Sequence, residues 1–151
     1  MENKRIIIID DDLLIPTLIK ELLEGEHSGL EISEMTTDTD KFFDLLSKNS
    51  FDAALIDISI RGREGGIDLL RTLKNQGFKM PVIMLSAHDE IIYAAKCLGL
   101  GAVGYINKAR IPDDLIRGLK KVLNGELFVS GHEGVRIVKK YTESIKGPIV
   151  N

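Results

Sequence analysis

The chain has 151 residues and a mass of 16.8 kDa, enough for one compact domain and too little for two ordinary ones. Hydrophobic residues at 44% and charged residues at 28% exclude wholesale disorder, and a chain of this length buries a core without staples. One cysteine, Cys97, excludes an internal disulfide, and a net charge of −3 leaves no overall electrostatic footprint for nucleic acid.

Other classes fall away at once. His27, His88 and His132 lie too far apart for a helical metal pair. The start, MENKRIIIID, is basic and then apolar, but the run Ile6 to Ile9 is too short for a signal peptide. No stretch approaches a membrane span. A soluble protein of a reducing compartment, the cytoplasm, is expected.

Short apolar runs alternate with longer amphipathic stretches. Arg5 to Ile9 carries four consecutive isoleucines, the pattern of a strand buried on both faces. Ile15, Leu18, Ile19, Leu22 and Leu23 follow helical spacing, with Pro16 tolerated in a first turn. Glu31 to Met35 is a weaker strand, followed by a helix carrying Phe42, Phe43, Leu45 and Leu46. Ala53 to Ile56 is the third apolar run, and Ile67, Leu69, Leu70 and Leu73 mark a helix ending near Gly77. Pro81 opens the run Val82 to Leu85; a helix from about Asp89 to Leu100 and a strand Ala102 to Ile106 follow. The helix of Leu115, Ile116, Leu119, Val122 and Leu123 stops at Gly125. Five β–α units in series predict an α/β fold, an open parallel sheet with helices on both faces.

In such a sheet the ligand crevice lies beyond the carboxyl ends of the strands. There stand Asp10, Asp11 and Asp12 after the first run, Thr36 and Thr37 after the second, Asp57 after the third, Ser86 after the fourth and Lys108 after the fifth. Each alone has an ordinary structural use: Asp12 before Leu13 and Ser86 before the next helix suit caps, and Lys108 suits a solvated loop. Acids, a hydroxyl and a lysine at one edge are harder to explain by capping. Asp10, Asp11 and Asp57 at close range would repel one another, and a hard divalent cation such as magnesium (or manganese) would neutralise them. Asp57 could then attack phosphorus and form an acyl phosphate, with Lys108 and Ser86 holding the phosphoryl oxygens.

The stretches "IIIIDDD", "DAALIDISIRGREGG", "PVIMLSA" and "GAVGYINK" resemble, in order and spacing, the receiver domains of two-component response regulators. The ending "GYINKARIPDDLIRGLKKVLNGE" is most similar to receivers of the NarL/FixJ type. The resemblance covers roughly Lys4 to Gly125 and implies a flavodoxin-like, doubly wound, five-stranded parallel sheet of order 2-1-3-4-5. It implies that Asp10 and Asp11 are the acidic pair, Asp57 the phosphoacceptor, Ser86 the switch hydroxyl, Lys108 the phosphate-binding lysine and Tyr105 the switch aromatic. Ser59 and His88, two positions beyond acceptor and switch hydroxyl, fall where the family varies; we expect them to tune acyl-phosphate lifetime through access of water. The implied partner is a sensor histidine kinase or phosphotransfer protein. The implied activity is signalling rather than metabolic: the domain catalyses only its own phosphorylation and dephosphorylation, with a homodimer on phosphorylation and an output domain or effector protein downstream. Two departures stand out. Arg61 and Ala109 replace prolines that the family usually has four residues after the acceptor and directly after the lysine; the first removes a φ restraint, the second the expectation of a cis peptide.

Two other readings are weaker. Gly99, Gly101 and Gly104 match dinucleotide spacing but follow a helix and open a strand, the reverse of a true fingerprint. A haloacid-dehalogenase-type phosphatase could use Asp10, Asp12, Ser86 and Lys108. However, Leu14 stands where that class has Thr or Val, Asp113-Asp114 sits at a helix start, and Asp57 is left without a role. A pseudo-receiver would lack a core acid or the lysine, and none is missing. The expected organisation is a receiver over residues 1–125 and a linker or docking tail over 126–151. Val135, Val138, Tyr141 and Ile145 in that tail predict a helix over 133–145, with Lys139 and Lys140 on another face. A helix-turn-helix does not fit within this length, so the chain itself is expected to bind no nucleic acid, acting either ahead of such a module or as a stand-alone receiver.

Overall fold

The computed structural model describes residues 2–87, 91–131 and 134–146. Strands β1 (Lys4–Ile9), β2 (Leu30–Thr36), β3 (Ala53–Asp57), β4 (Val82–Ser86), β5 (Gly104–Asn107) and β6 (Phe128–Val129) form one sheet of order β2-β1-β3-β4-β5-β6. Every neighbouring pair is parallel. Helices α1 (Leu14–Gly25), α2 (Thr39–Lys48), α3 (Gly65–Asn75), α4 (Ile91–Gly99) and α5 (Ile111–Leu123) alternate with the strands, and α6 (Gly134–Lys146) follows β6.

The isoleucine run of β1 explains the layering. Ile6, Ile7, Ile8 and Ile9 are all fully buried, and successive side chains point to opposite faces. Ile6 and Ile8 join Ile19, Leu23, Leu115 and Leu119 beneath α1 and α5. Ile7 and Ile9 join Phe42, Ile67, Leu70 and Cys97 beneath α2, α3 and α4. A strand covered on both sides has no polar position within it, so its first polar residue falls at the edge.

The order 2-1-3-4-5 stands unbroken, and among the described residues the sheet has six strands where five were expected. Phe128 and Val129 pair with Gly104 and Tyr105 and are 5% and 7% exposed. A two-residue strand is too short to show any periodicity, which is why sequence patterning passes over it. β5 also starts two residues later than the apolar pattern suggests. Gly101, at φ +104°, turns the chain, and the Ala102 N–H still donates to Cys97 O (3.0 Å) at the end of α4. The dinucleotide-like glycines thus end a helix and open a strand. Beyond β6, Ile137 and Val138 of α6 pack on the same core layer as Cys97 and Tyr105. Cys97 is a buried apolar residue, its thiol pushed up to about 12 by burial.

The start of α3 is pressed onto the end of β3. Gly66 N–H donates to Ile58 O (2.7 Å), and a Cβ at position 66 would collide with the carbonyl of Asp57 and the Cα of Ile58. Backbone atoms cannot swing aside as a flexible side chain does, so Gly66→Ala is expected to cost about 1–3 kcal/mol of stability. Urea denaturation checks this; an unchanged midpoint would mean that α3 yields freely.

Candidate functional site

Adjacent strands deliver the acids to one place. Ile9 is in register with Ile56, so Asp10, directly after β1, lies beside Asp57, the last residue of β3. These strands flank the point where the strand order reverses, the crevice that open α/β sheets use for ligands. Ser86 ends β4, in register with Asn107 at the end of β5, and Lys108 opens a single 3-10 turn, Lys108–Arg110.

Lys108 closes the arrangement from far along the chain. Its Nζ lies 3.0 Å from Asp10 Oδ2 and 3.3 Å from Asp57 Oδ1. Both carboxylate side chains are 3% exposed and the lysine side chain is 19% exposed, so the three charges interact largely out of water. Burial pushes the Asp10 carboxyl above its ordinary value, and the Asp57 charge acts the same way; the Asp12 N–H and the Lys108 ammonium oppose them without cancelling the rise. Ser59 donates to Asp57 from its N–H (Oδ1, 3.2 Å) and from Oγ (Oδ1, 3.1 Å; Oδ2, 3.3 Å). A cavity of about 490 Å³ opens beside these groups, lined in part by Ser59, Arg63, Ser86 and Tyr93.

Asp11 is placed differently. Its carboxylate accepts the Arg61 N–H (3.3 and 3.2 Å), while Arg61 Nη1 donates to Thr39 Oγ1 (3.0 Å). Arg61 holds φ +56°, a left-handed conformation closed to proline, whose ring sets φ near −65° and which has no N–H to give. The absent family proline was the sequence signal for a different loop; the bond to Asp11 could not be read from it. Asp12 lies one residue ahead of the N-cap of α1, Leu13, and its carboxylate accepts the Leu14 N–H (2.6 Å) across a two-residue turn.

The edge therefore gathers Asp10, Asp57, Ser59, Ser86 and Lys108. Tyr105 is 2% exposed, within the core layer that also holds Ala94, Leu98 and Val129. His88 lies outside the described residues. Among the described residues no three acidic, histidine or cysteine side chains are placed to hold a metal ion by themselves. Magnesium asks for less, one or two carboxylates with waters and a phosphate, and the oxygen-only donors Asp10 and Asp57 fit that chemistry.

Two outcomes follow from this geometry. Because the folded-state value of Asp10 is raised, its ionisation weighs against folding above that value, and the penalty vanishes below the ordinary value of 3.8, where the carboxyl is protonated in both states. Asp10→Asn is accordingly expected to raise the melting temperature at neutral pH, with the gain shrinking as pH falls toward that value; a gain independent of pH would contradict this. Arg61→Pro is expected to destabilise by more than about 1 kcal/mol, since the site needs positive φ and the N–H. Arg61→Gly keeps both and should be no less stable than the wild type. Equal denaturation midpoints for the two variants would refute the account of the loop.

A sequence model described as the response regulator receiver domain matches residues 6–120. Fimbriae Z protein of Salmonella typhimurium is 27% identical over 128 residues, 85% of this chain and 60% of that protein. Response regulator UvrY of Escherichia coli is 25% identical over 125 residues, 83% of this chain and 56% of that protein, so the chain spans little more than half the length of these relatives. A solved structure of the RcsB response regulator of Salmonella typhimurium superposes with a TM-score of 0.79 at 23% identity, covering 93% of this chain and 69% of that one, a likeness of fold. Taken with the acids, hydroxyl and lysine at the sheet edge, the match over most of its length shows that the chain belongs to the response regulator receiver family.

Proposed function

We propose that the chain accepts a phosphoryl group on Asp57 from a sensor histidine kinase or phosphotransfer protein, in a reaction that needs magnesium (or manganese). The observation that carries this reading is the Lys108 ammonium held between the buried carboxylates of Asp10 and Asp57 at the strand-order reversal. Asp10 and Asp57 are the residues that would hold the ion, joined by Asp11 once its carboxylate gives up the Arg61 N–H; when bound, the ion would screen the carboxylates and the incoming phosphoryl oxygens. An Asp57 oxygen forms a bond to phosphorus while the phosphorus–nitrogen bond of phosphohistidine breaks, the electron pair leaving with the imidazole. Lys108 compensates charge on the transferred group, and the Ser86 hydroxyl, on the neighbouring strand end, donates to it. Ser59, already bonded to Asp57, and His88 would govern how readily water reaches the acyl phosphate.

The phosphatase reading finds little support. Asp12 accepts the Leu14 N–H just ahead of α1, and Asp114 of α5 is gripped by Arg110 (3.2 Å) and Arg117 (2.8 Å). We read residues 1–125 as the phosphoacceptor unit, and the segment 126–151 as the connection to an output domain, a docking tail or a dimer contact. Tyr105, buried beside Val129, is the group we expect to register the change at Ser86 and pass it to that segment. No helix among the described residues is long and apolar enough to cross a membrane; the setting we propose for the kinase reaction is the cytoplasm.

Acetyl phosphate with magnesium, followed by intact mass, tests the assignment. The wild type is expected to gain one phosphoryl group, labile to base, and Asp57→Asn none; equal gains on both proteins would eliminate Asp57 as the acceptor.

A further inference from the structure

The lysine that bridges the two carboxylates is itself held by residues beyond the stretch that matches the family, 6–120. β5 ends at Asn107 and β6 ends at Val129, so the next N–H of the ladder needs a side-chain partner. Ser130 supplies it: its own N–H donates to Tyr105 O (2.9 Å), and its Oγ accepts the Asn107 N–H (2.9 Å). Ser130 and Asn107 are each 6% exposed, so water does not easily replace this bond. Asn107 Oδ1 in turn accepts the Ala109 N–H (2.8 Å), setting the one-turn helix on which Lys108 stands.

A second clamp acts on the far side of the same turn. The Gly131 N–H donates to Asp114 Oδ2 (3.1 Å), and that carboxylate also receives Arg110 from the turn and Arg117 from α5. Burial works against ionisation of Asp114, but the bonds from Arg117, Arg110 and Gly131 outweigh it and hold the carboxyl below its ordinary range. Residues 130 and 131 thus brace the Lys108 turn at both ends, Asn107 and Arg110. A lysine has many rotamers, and where its backbone starts decides whether the ammonium meets both carboxylates.

We infer that Ser130 is a positioning residue for Lys108, so that capture of the phosphoryl group depends on β6. The inference rests on the proposed role of Asp57 and Lys108. Ser130 bonds to neither Asp10 nor Asp57, and a displaced Lys108 ammonium leaves those carboxylates more negative, so its loss should weaken phosphoryl recognition without weakening cation binding.

The test compares the wild type with Ser130→Ala, Ser130→Thr and the nearly isosteric Ser130→Cys, whose sulfur is a weak acceptor. Three quantities are measured on each: the rate of modification by acetyl phosphate, magnesium affinity by calorimetry, and affinity for beryllofluoride, a phosphoryl mimic, at saturating magnesium. Ser130→Ala and Ser130→Cys are expected to slow modification and weaken beryllofluoride binding together, by about threefold to tenfold. Magnesium affinity does not fall below the wild-type value, and Ser130→Thr, which keeps the hydroxyl, restores both other quantities. Should Ser130→Ala not fold, the Cys and Thr pair carries the comparison. Wild-type values for the folded Ala or Cys variant overturn the inference, as does a parallel loss of magnesium affinity, which would mark a general disturbance. Failure of the wild type itself to be modified at Asp57 would instead overturn the functional reading on which the inference stands.

Discussion

Two carboxylates share one ammonium at the end of a sheet that excludes water, and the rest of the molecule is arranged around that fact. Asp10 and Asp57 carry two negative charges against the single positive charge of Lys108, all within 3.3 Å contacts. Removing an ion from water costs several kcal/mol even after relaxation, and one cation cannot compensate two anions fully. Burial first, and the neighbouring Asp57 charge second, raise the Asp10 carboxyl above its ordinary value. For stability alone a neutral pair would serve better. A site that keeps an uncompensated negative charge under cover keeps an unmet demand for positive charge, and a divalent cation is the chemistry that meets it.

The fold makes this concentration affordable by putting the acids where burial ends. β1 and β3 are adjacent and in register, with Ile6 to Ile9 and Ala53 to Ile56 fully buried. Their first polar residues emerge at the same level on the same edge. That placement was legible in the sequence, because a strand covered on both faces reads as an unbroken apolar run and marks its own end with the next polar side chain. The same logic found Ser86 and Lys108. Asp12, weighed as a cap, stands one residue ahead of the N-cap Leu13 and accepts the Leu14 N–H from there.

What the sequence did not disclose is of one physical kind. Arg61 adopts φ +56° and gives its N–H to Asp11 across 50 residues; Ser130 takes the Asn107 N–H across 23. Backbone donors have no identity in a sequence, and a hydrogen bond over such a separation leaves no periodicity. β6 escaped for a related reason: two residues cannot establish alternation, although Phe128 and Val129 are buried as deeply as Leu30 and Ile32 of the opposite edge strand. Asp114 was visible only as an acid in the first turn of α5, where an exposed position is the default expectation. Its 1% exposure and its two arginines are tertiary facts.

These unseen contacts bear on how the change proposed at Asp57 would travel. The central strands are packed to zero exposure at most positions, and a close-packed interior accommodates displacement poorly. Movement is easier where the edge borders a cavity, beside Ser86 and Tyr93, and where chain segments meet through a few hydrogen bonds rather than through a filled core. The joint between β5 and β6 is of the second type: Tyr105 O, Asn107 N–H and Asp114 each hold one group of residues 130 and 131. Lys108 stands between the second and third of these anchors. A pull on its ammonium therefore acts on the segment that leads into α6, and a pull on that segment acts equally on the ammonium, because a coupling between two sites is reciprocal in free energy. In this chain Lys108, the lysine proposed to meet the phosphoryl group, and residues 130 and 131 are joined by one short run of hydrogen bonds.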